Sequence, residues 1–331
     1  MKKNEQDQHG SETGNAQNKQ LESEGRQQAS LITADQDPGG DYIVRATALD
    51  NSVRAFACRT SLTCQEATRI HKLSPVAATA LGRLMSGLLM MAHDLKGDQE
   101  SVSALIRSNG PLQGMTAVAT GAGTVRGFVN QPVVETTYIR PGKLDIGKAV
   151  GEGTLRVIRD SGLKEPYVGQ VDLLSGEIAE DLAGYLYQSE QIPTVLSLGV
   201  LLDKDGIQHA GGLMVQLMPD AGEDIAAYLE SRAAGFPELT FLLQESFNPQ
   251  QLIDLFIGDQ NIVYHSLQSC GYACTCSRER MTRNLIALGR DEIKSLAGDP
   301  DGIELNCHFC GQTYRFAQSE LRDLLAAMLD T

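Results

Sequence analysis

The sequence contains no tryptophan, and aromatic residues make up only 5% of its 331 positions. Proteins that hold single-stranded nucleic acid stack bases on aromatic platforms, so this shortage disfavours that class. Positive charge is short as well: 28 Lys and Arg stand against 42 Asp and Glu, a formal net charge of −14. A general nucleic-acid binder carries the opposite, basic footprint. No uninterrupted apolar run approaches a membrane span; the best, Leu88 to Ala92, stops at His93. The opening MKKNEQDQHG has lysines but no apolar stretch behind them, so we expect no secretory signal and a cytoplasmic location. A nucleophile elbow, a P-loop and an HExxH motif are missing too, and the chain reads as a non-enzyme.

What is present is an ordinary globular composition, 42% hydrophobic and 21% charged, enough to bury a core. Residues 1–40 are rich in Gln, Glu, Asn, Ser and Gly and nearly free of large apolar side chains, which predicts a disordered tail. From Asp41, two strands are expected around a turn at Asp50-Asn51. Ser74-Pro75 opens a helix carrying Leu81, Leu84, Met85, Leu88, Met91 and Leu95 at helical spacing, expected to end near Gly97. Its methionines, Met85, Met90 and Met91, read as core in preference to a client-binding stripe. Short β-rich runs broken by glycine follow to Val134. Gly121, Gly123 and Gly127 lack the spacing and the following helix of a dinucleotide fingerprint. A helix is expected to open at Ser175-Gly176-Glu177-Ile178, and a hairpin turn at Asp203-Lys204-Asp205-Gly206.

Strands and helices without regular βα alternation give an α+β fold, with a mixed sheet-and-helix domain over 41–220. From Ala221 the texture turns helical: EDIAAYLESRAA, LTFLLQES and PQQLIDLFIG, separated by Pro237 and Pro249. Each piece is too short to stand alone, so 221–273 reads as a metastable helical linker. Residues 274–331 complete the chain as a small four-cysteine zinc domain.

Seven cysteines are present, and five lie in the last 62 residues. Clustered cysteines in a reducing compartment point to metal or redox chemistry. Cys274-Thr275-Cys276 and Cys307-His308-Phe309-Cys310 are two close pairs around a small folded unit. Their four thiolates suit one tetrahedral Zn²⁺ per chain. His308 is a spare donor that four thiolates make unnecessary. A closed four-thiolate site offers no open position for a substrate, so a purely structural zinc is the commoner outcome for such spacing. Three features point to something more reactive. A disulfide within Cys274-Thr275-Cys276 would close a very small, strained ring. Ser277 caps a following helix, which places Cys276 at its positive end near Arg278, Arg280 and Arg283. Finally, oxidation of metal-bound thiolates removes the ligands and couples redox state to folding. On the intervening helix Leu285, Ile286 and Leu288 are expected to face inward. Cys58 and Cys64 read as small buried hydrophobes, and Cys270 as a bystander or an alternative thiol.

These cysteines, with their CTCSRER context, resemble the zinc switch of the bacterial redox-regulated holdase chaperones, the thirty-three-kilodalton heat-shock chaperonin family. SPVAATALGRLMSG, SNGPLQG, VRGFVNQP, GLKEPYVGQVDLLSGEIAEDL and YQSEQIPT extend the resemblance over about residues 41–331. The forty-residue tail and Cys270 depart from the pattern. The resemblance implies an ATP-independent holdase, inactive and monomeric while zinc sits on Cys274, Cys276, Cys307 and Cys310. It also implies that oxidants form Cys274–Cys276 and Cys307–Cys310 disulfides, release zinc, unfold the C-terminal unit and destabilise the linker. The chain would then dimerise, hold unfolded clients and pass them to ATP-dependent foldases.

Two rivals remain. A thiol-disulfide oxidoreductase normally carries its CxxC at a helix N-terminus after a strand, whereas Cys307 and Cys310 fall in an expected hairpin. A zinc-ribbon module binding nucleic acid or another partner would have to meet phosphate with residues 251–331. These hold seven Lys and Arg against eleven Asp and Glu.

Overall fold

The computed structural model describes residues 37–258 and 261–328. Most of the expected tail therefore lies outside the described residues. Its last four do not: the Asp37 carboxylate pairs with the Arg59 guanidinium at 2.8 Å.

Fifteen strands are described, in chain order: β1 (Tyr42–Ala48), β2 (Val53–Arg59), β3 (Ser101–Ser108), β4 (Met115–Thr120), β5 (Thr124–Val129), β6 (Tyr138–Arg140), β7 (Lys143–Leu144), β8 (Gly153–Asp160), β9 (Tyr167–Asp172), β10 (Thr194–Asp203), β11 (Gly206–Leu217), β12 (Val263–Ser269), β13 (Gly271–Tyr272), β14 (Ile303–Asn306) and β15 (Thr313–Phe316). A five-stranded sheet runs β10-β11-β2-β1-β12 and a six-stranded sheet β13-β5-β4-β3-β8-β9. The fold is α+β, as the irregular order of strands and helices implies.

The helix Pro75–Ala92 lies between the two sheets and forms the centre of the first core. Its apolar residues go nearly all the way round, so it is buried on every side. Met85, Met90 and Met91 are core residues, each less than 5% exposed. By length and mean hydropathy this helix is able to cross a membrane. It is 89% buried within the fold, which marks it as a core helix. A search for unbroken apolar runs passes over it because Thr79, Arg83 and Ser86 interrupt the sequence. The other face of the five-stranded sheet presents Val44, Ala46, Val53, Ala55, Ala57, Leu213 and Val215. The helices Glu223–Gly235, Leu239–Gln244 and Pro249–Ile257 cover it, with Leu252, Ile253, Phe256 and Ile257 buried against it.

Several local expectations shift. The central helix ends at Ala92, not near Gly97, because the next two side chains leave the helix for tertiary partners: His93 bonds β12 and Asp94 pairs with Arg45. The helix expected at Ser175 begins at Ala179. The Asp181 carboxylate accepts the backbone N–H groups of Leu174, Ser175, Gly176 and Ile178, which winds those residues into a compact loop instead. Ser74 stands at the helix start, yet its hydroxyl accepts from Val134 N–H, at 3.2 Å, and not from the helix. The helix Ser61–His71 has no local signal. Its N-terminus is capped from a distance by the buried Asp41, which accepts from the backbone of Leu62 and Thr63 and from the Thr63 hydroxyl. The stretch expected as a helical linker also ends in strand: β12 pairs antiparallel with β1, and β13 pairs parallel with β5.

Candidate metal centre

The last core is small. Leu285, Ala297, Phe316 and Leu321 are its buried apolar residues, drawn from the helices Arg278–Ala287 and Gln318–Ala327, the hairpin β14–β15 and the segment between. On the helix Arg278–Ala287, the inward stripe is Met281 and Leu285, four residues apart. Ile286 and Leu288 were expected inside but are 40% and 57% exposed, because they fall on other faces of the helix.

The hairpin β14–β15 carries Cys307 and Cys310 in its connecting turn. Cys307 N–H donates to the Gln312 carbonyl, and Gly311 N–H donates to the Cys307 carbonyl at 2.8 Å. Gly311 takes φ +72 with open space around it, so the left-handed backbone, and not crowding, is what calls for glycine. Cys274 and Cys276 arrive on the segment that leaves β13. The turn and the segment bring four sulfurs together, all within 4.8 Å of one another. Cys274 Sγ lies 3.6 Å from Cys307 Sγ, and Cys276 Sγ lies 3.4 Å from Cys310 Sγ. Sulfurs about 2.3 Å from a shared tetrahedral centre lie about 3.8 Å apart, so the four fit a single ion. His308 takes no part and packs against Phe128, with ring centroids 5.5 Å apart.

The thiols are not alike. Burial pushes Cys276 up, but hydrogen bonds from Tyr314 and the neighbouring sulfurs outweigh it and bring the group down to about 7. Burial raises Cys274 and Cys310. The Tyr314 hydroxyl donates to Cys276 Sγ at 3.1 Å, which pushes Tyr314 itself up to about 12. Ser277 does cap the helix behind Cys276, accepting from Arg280 N–H at 3.2 Å. The arginines brace the surroundings. Arg280 and Arg126 both donate to the Thr275 hydroxyl, and Arg278 reaches Glu320 and the Arg315 carbonyl.

The cysteine unit docks on the six-stranded sheet at β5. Phe128 meets Phe309 edge-on at 5.2 Å, and the Arg126 guanidinium lies over the same Phe309 ring at 5.1 Å. The Tyr272 hydroxyl bonds the carbonyls of Phe309 and Gly127 and lies 3.2 Å from His71 Nε2. Phe309 sits between the two turn cysteines, so this contact joins the sulfur cluster to the body. Phe128, Tyr272 and Tyr314 escaped sequence reasoning. Only Tyr314 had a usable signal, since it alternates within a strand four residues after Cys310. The remaining thiols stand apart from the cluster. Cys58 and Cys64 are fully buried in the first core, and Cys270 Sγ faces the Arg59 carbonyl at 3.7 Å.

The model of the Hsp33 protein family matches residues 41–317. The chain belongs to the Hsp33 family. It is 42% identical to the 33 kDa chaperonin of Ruminiclostridium cellulolyticum over 286 residues, 86% of this chain and 98% of that one. The 33 kDa chaperonin of Acetivibrio thermocellus is 41% identical over 86% of this chain and 97% of its own length. The crystal structure of the 33 kDa chaperonin from Thermotoga maritima, titled a heat shock protein 33 homolog, superposes with a TM-score of 0.79. Its identity is 35%, and the match covers 88% of this chain and all of that one. Membership of the Hsp33 family gives the chain a chaperone role, which implies unfolded polypeptides as partners.

Proposed function

We propose that the chain is a redox-regulated, ATP-independent holdase whose switch is the set Cys274, Cys276, Cys307 and Cys310, holding one Zn²⁺ in the reduced form. The observation that carries this reading is the pairing of four converging thiols with a small apolar core: among the described residues of 274–328, Leu285, Ile293, Ala297, Phe316 and Leu321 are buried beside Cys307. So small a core cannot offset the ordering of its own chain, and ligand bonds supply what burial does not. An all-thiolate donor set suits zinc over hard cations. Cys307 and Cys310 of the turn and Cys274 and Cys276 of the preceding segment would hold the ion together as thiolates, and a bound Zn²⁺ would supply a cross-link between the two.

Oxidation then acts through the chain's own residues. Peroxide takes two electrons from each pair, Cys274–Cys276 and Cys307–Cys310. A sulfur–sulfur bond forms in each, and each peroxide leaves as two waters. Disulfides offer no thiolate ligands, so the unit loses its cross-link. The Phe309 carbonyl and ring then no longer hold Tyr272, Phe128 and Arg126, and the strand pairing of β13 with β5 loses its support. Disruption passes to residues 221–273, which uncovers the apolar face of the five-stranded sheet now under the helices. That face, with Val44, Ala46, Val53, Ala55, Ala57, Leu213 and Val215, would offer unfolded clients or a second copy of the chain an apolar surface. We place the body at 41–220, the linker at 221–273 and the switch at 274–331, in a cytoplasmic protein that hands clients to ATP-dependent foldases. Its net charge of −14 helps keep client complexes soluble through self-repulsion.

The rival oxidoreductase has less support. Cys307 and Cys310 lie in a hairpin turn, and each faces a sulfur of the other pair. The test follows zinc release with a chromogenic chelator while the reduced, zinc-loaded protein is treated with peroxide at raised temperature. Light scattering of a thermally unfolding client is recorded in parallel. Zinc release with suppression of scattering only after oxidation is the expected result. Zinc that stays bound while the client aggregates regardless defeats the proposal.

A further inference from the structure

β12 carries the chain from the helices over the five-stranded sheet to the cysteine unit. It is an edge strand, paired only with β1 within its sheet. Two of its side chains, Ser266 and Gln268, meet one histidine at the end of the central helix, while Tyr264 bonds Asp254 and the Gln250 carbonyl. His93 Nδ1 lies 2.8 Å from Gln268 Oε1, and His93 Nε2 lies 2.8 Å from Ser266 Oγ. The Gln268 amide nitrogen donates to the Gly121 carbonyl at 2.8 Å, which leaves Oε1 as the atom facing the ring. A carbonyl oxygen only accepts, so His93 Nδ1 carries a proton, and in the neutral ring Nε2 accepts from the Ser266 hydroxyl. A second proton would make Nε2 a donor as well and oblige the Ser266 hydroxyl to turn round and accept. Phe56 stands edge-on to the ring with centroids 5.9 Å apart and shields it.

The charged surroundings come from several elements, and the titratable His265 of β12 lies near Arg45 among them. Arg45 approaches from β1, Arg54 from β2, and Asp94 follows His93 itself. Asp94 is already shared between the two guanidiniums, at 3.1 Å from Arg45 Nε and in a short bond to Arg54. Beyond them, Arg159 pairs with Glu190 and donates to the Met91 carbonyl at the helix end. A proton on His93 would add a third positive charge beside a carboxylate that two arginines already occupy.

We propose that His93 is an acid-sensitive latch on β12, so that protonation of its ring loosens the linker strand while every thiol stays reduced. Release of β12 bares the edge of β1 and loosens the helical cover joined to it. The signal therefore reaches the linker from the body side, opposite to the one used by the cysteine unit. It does not depend on the redox reading above.

Burial is the main influence holding His93 below its ordinary 6.5; Gln268 and Asp94 pull it back in part, and Arg45 pushes it further down. The sign follows. A base whose folded value is depressed is favoured neutral in the fold, and the detached strand takes up the proton as pH falls through 6.5. The latch therefore holds above that pH and weakens progressively below it.

The test is hydrogen exchange over residues 263–269 in the full, reduced, zinc-loaded chain at about pH 7 and about pH 5.5, corrected for intrinsic rates, with free zinc followed in the same samples. Protection of this strand should fall severalfold at the lower pH with zinc retained. His93→Gln should flatten the response. His265→Gln should keep it, because exposed His265 bonds Thr47 and touches neither Gln268 nor Ser266, even though it too lies near Arg45. A response that survives in His93→Gln, or that appears only as zinc is lost, overturns the proposal. Should that variant fail to fold, NMR titration of the His93 ring in the native chain decides. A midpoint below 6.5 supports the latch, and one at or above it overturns it.

Discussion

The body and the cysteine unit are built on opposite principles. In the body, a helix buried on every side separates two sheets, and Leu81, Leu84, Met85 and Leu88 are wholly withdrawn from solvent. Each such side chain contributes about 1.5–3 kcal/mol through burial, so the body is held by many interchangeable contacts. The unit around Leu285, Ala297, Phe316 and Leu321 has few such contacts and four sulfurs instead. Stability spread over a large core resists a chemical signal, because no single bond decides it. Stability that the proposed reading concentrates in four sulfurs would answer to one event. The helices Glu223–Gly235, Leu239–Gln244 and Pro249–Ile257 lie between these extremes: they cover an apolar sheet face in the body, and their continuation leads into the unit.

The comparison breaks most sharply at Cys307. Cys307→Ser should abolish stoichiometric zinc binding even in reductant, since structural zinc is worth about 10–16 kcal/mol to a unit of this kind. Proteolysis should then cut within 274–328 while the body's own melting transition persists. Full zinc stoichiometry with native stability would sink the four-thiolate assignment. A smaller effect is expected at the junction. Phe128→Ala removes the edge-on contact with Phe309, worth about 0.5–1.5 kcal/mol beyond burial. The variant should keep its zinc, yet exchange faster at β13 in the reduced state. Unchanged protection at β13 would mean that Phe128 does not couple the two regions. The smallest effect is expected at Tyr314. In metal-free, reduced protein, alkylation of Cys276 should show a midpoint near the value of about 7 that the Tyr314 hydroxyl helps to set. Tyr314→Phe should move that midpoint upward without unfolding the unit, and a midpoint that stays put would remove the hydroxyl from the account.

The readable parts of this molecule were those whose causes are local. The hairpin at Asp203–Gly206, the capped helix after Ser277 and the apolar stripe of Pro75–Ala92 each carry their signal within a few residues. The spacing of the four cysteines does the same for the cluster. The illegible parts were set by remote partners. Asp41 caps the helix Ser61–His71 across 22 residues to Thr63, and neither segment alone announces it. Ile286 and Leu288 were misplaced because a nearly continuous apolar run gives no helical phase. Met281 supplies that phase only once the facing hairpin is in place.

The sequence by itself therefore determined the chemistry: which side chains can bind a metal, where the strongest apolar helix lies, and how little apolar material the C-terminal unit owns. Only the tertiary structure decided how that chemistry is connected. Tyr42 pairs with Ser269, and Tyr272 meets Gly127 and Phe309, contacts that span up to more than two hundred residues. Propensity and capping act over a turn or two, whereas strand register and docking are chosen by the burial of whole faces at once.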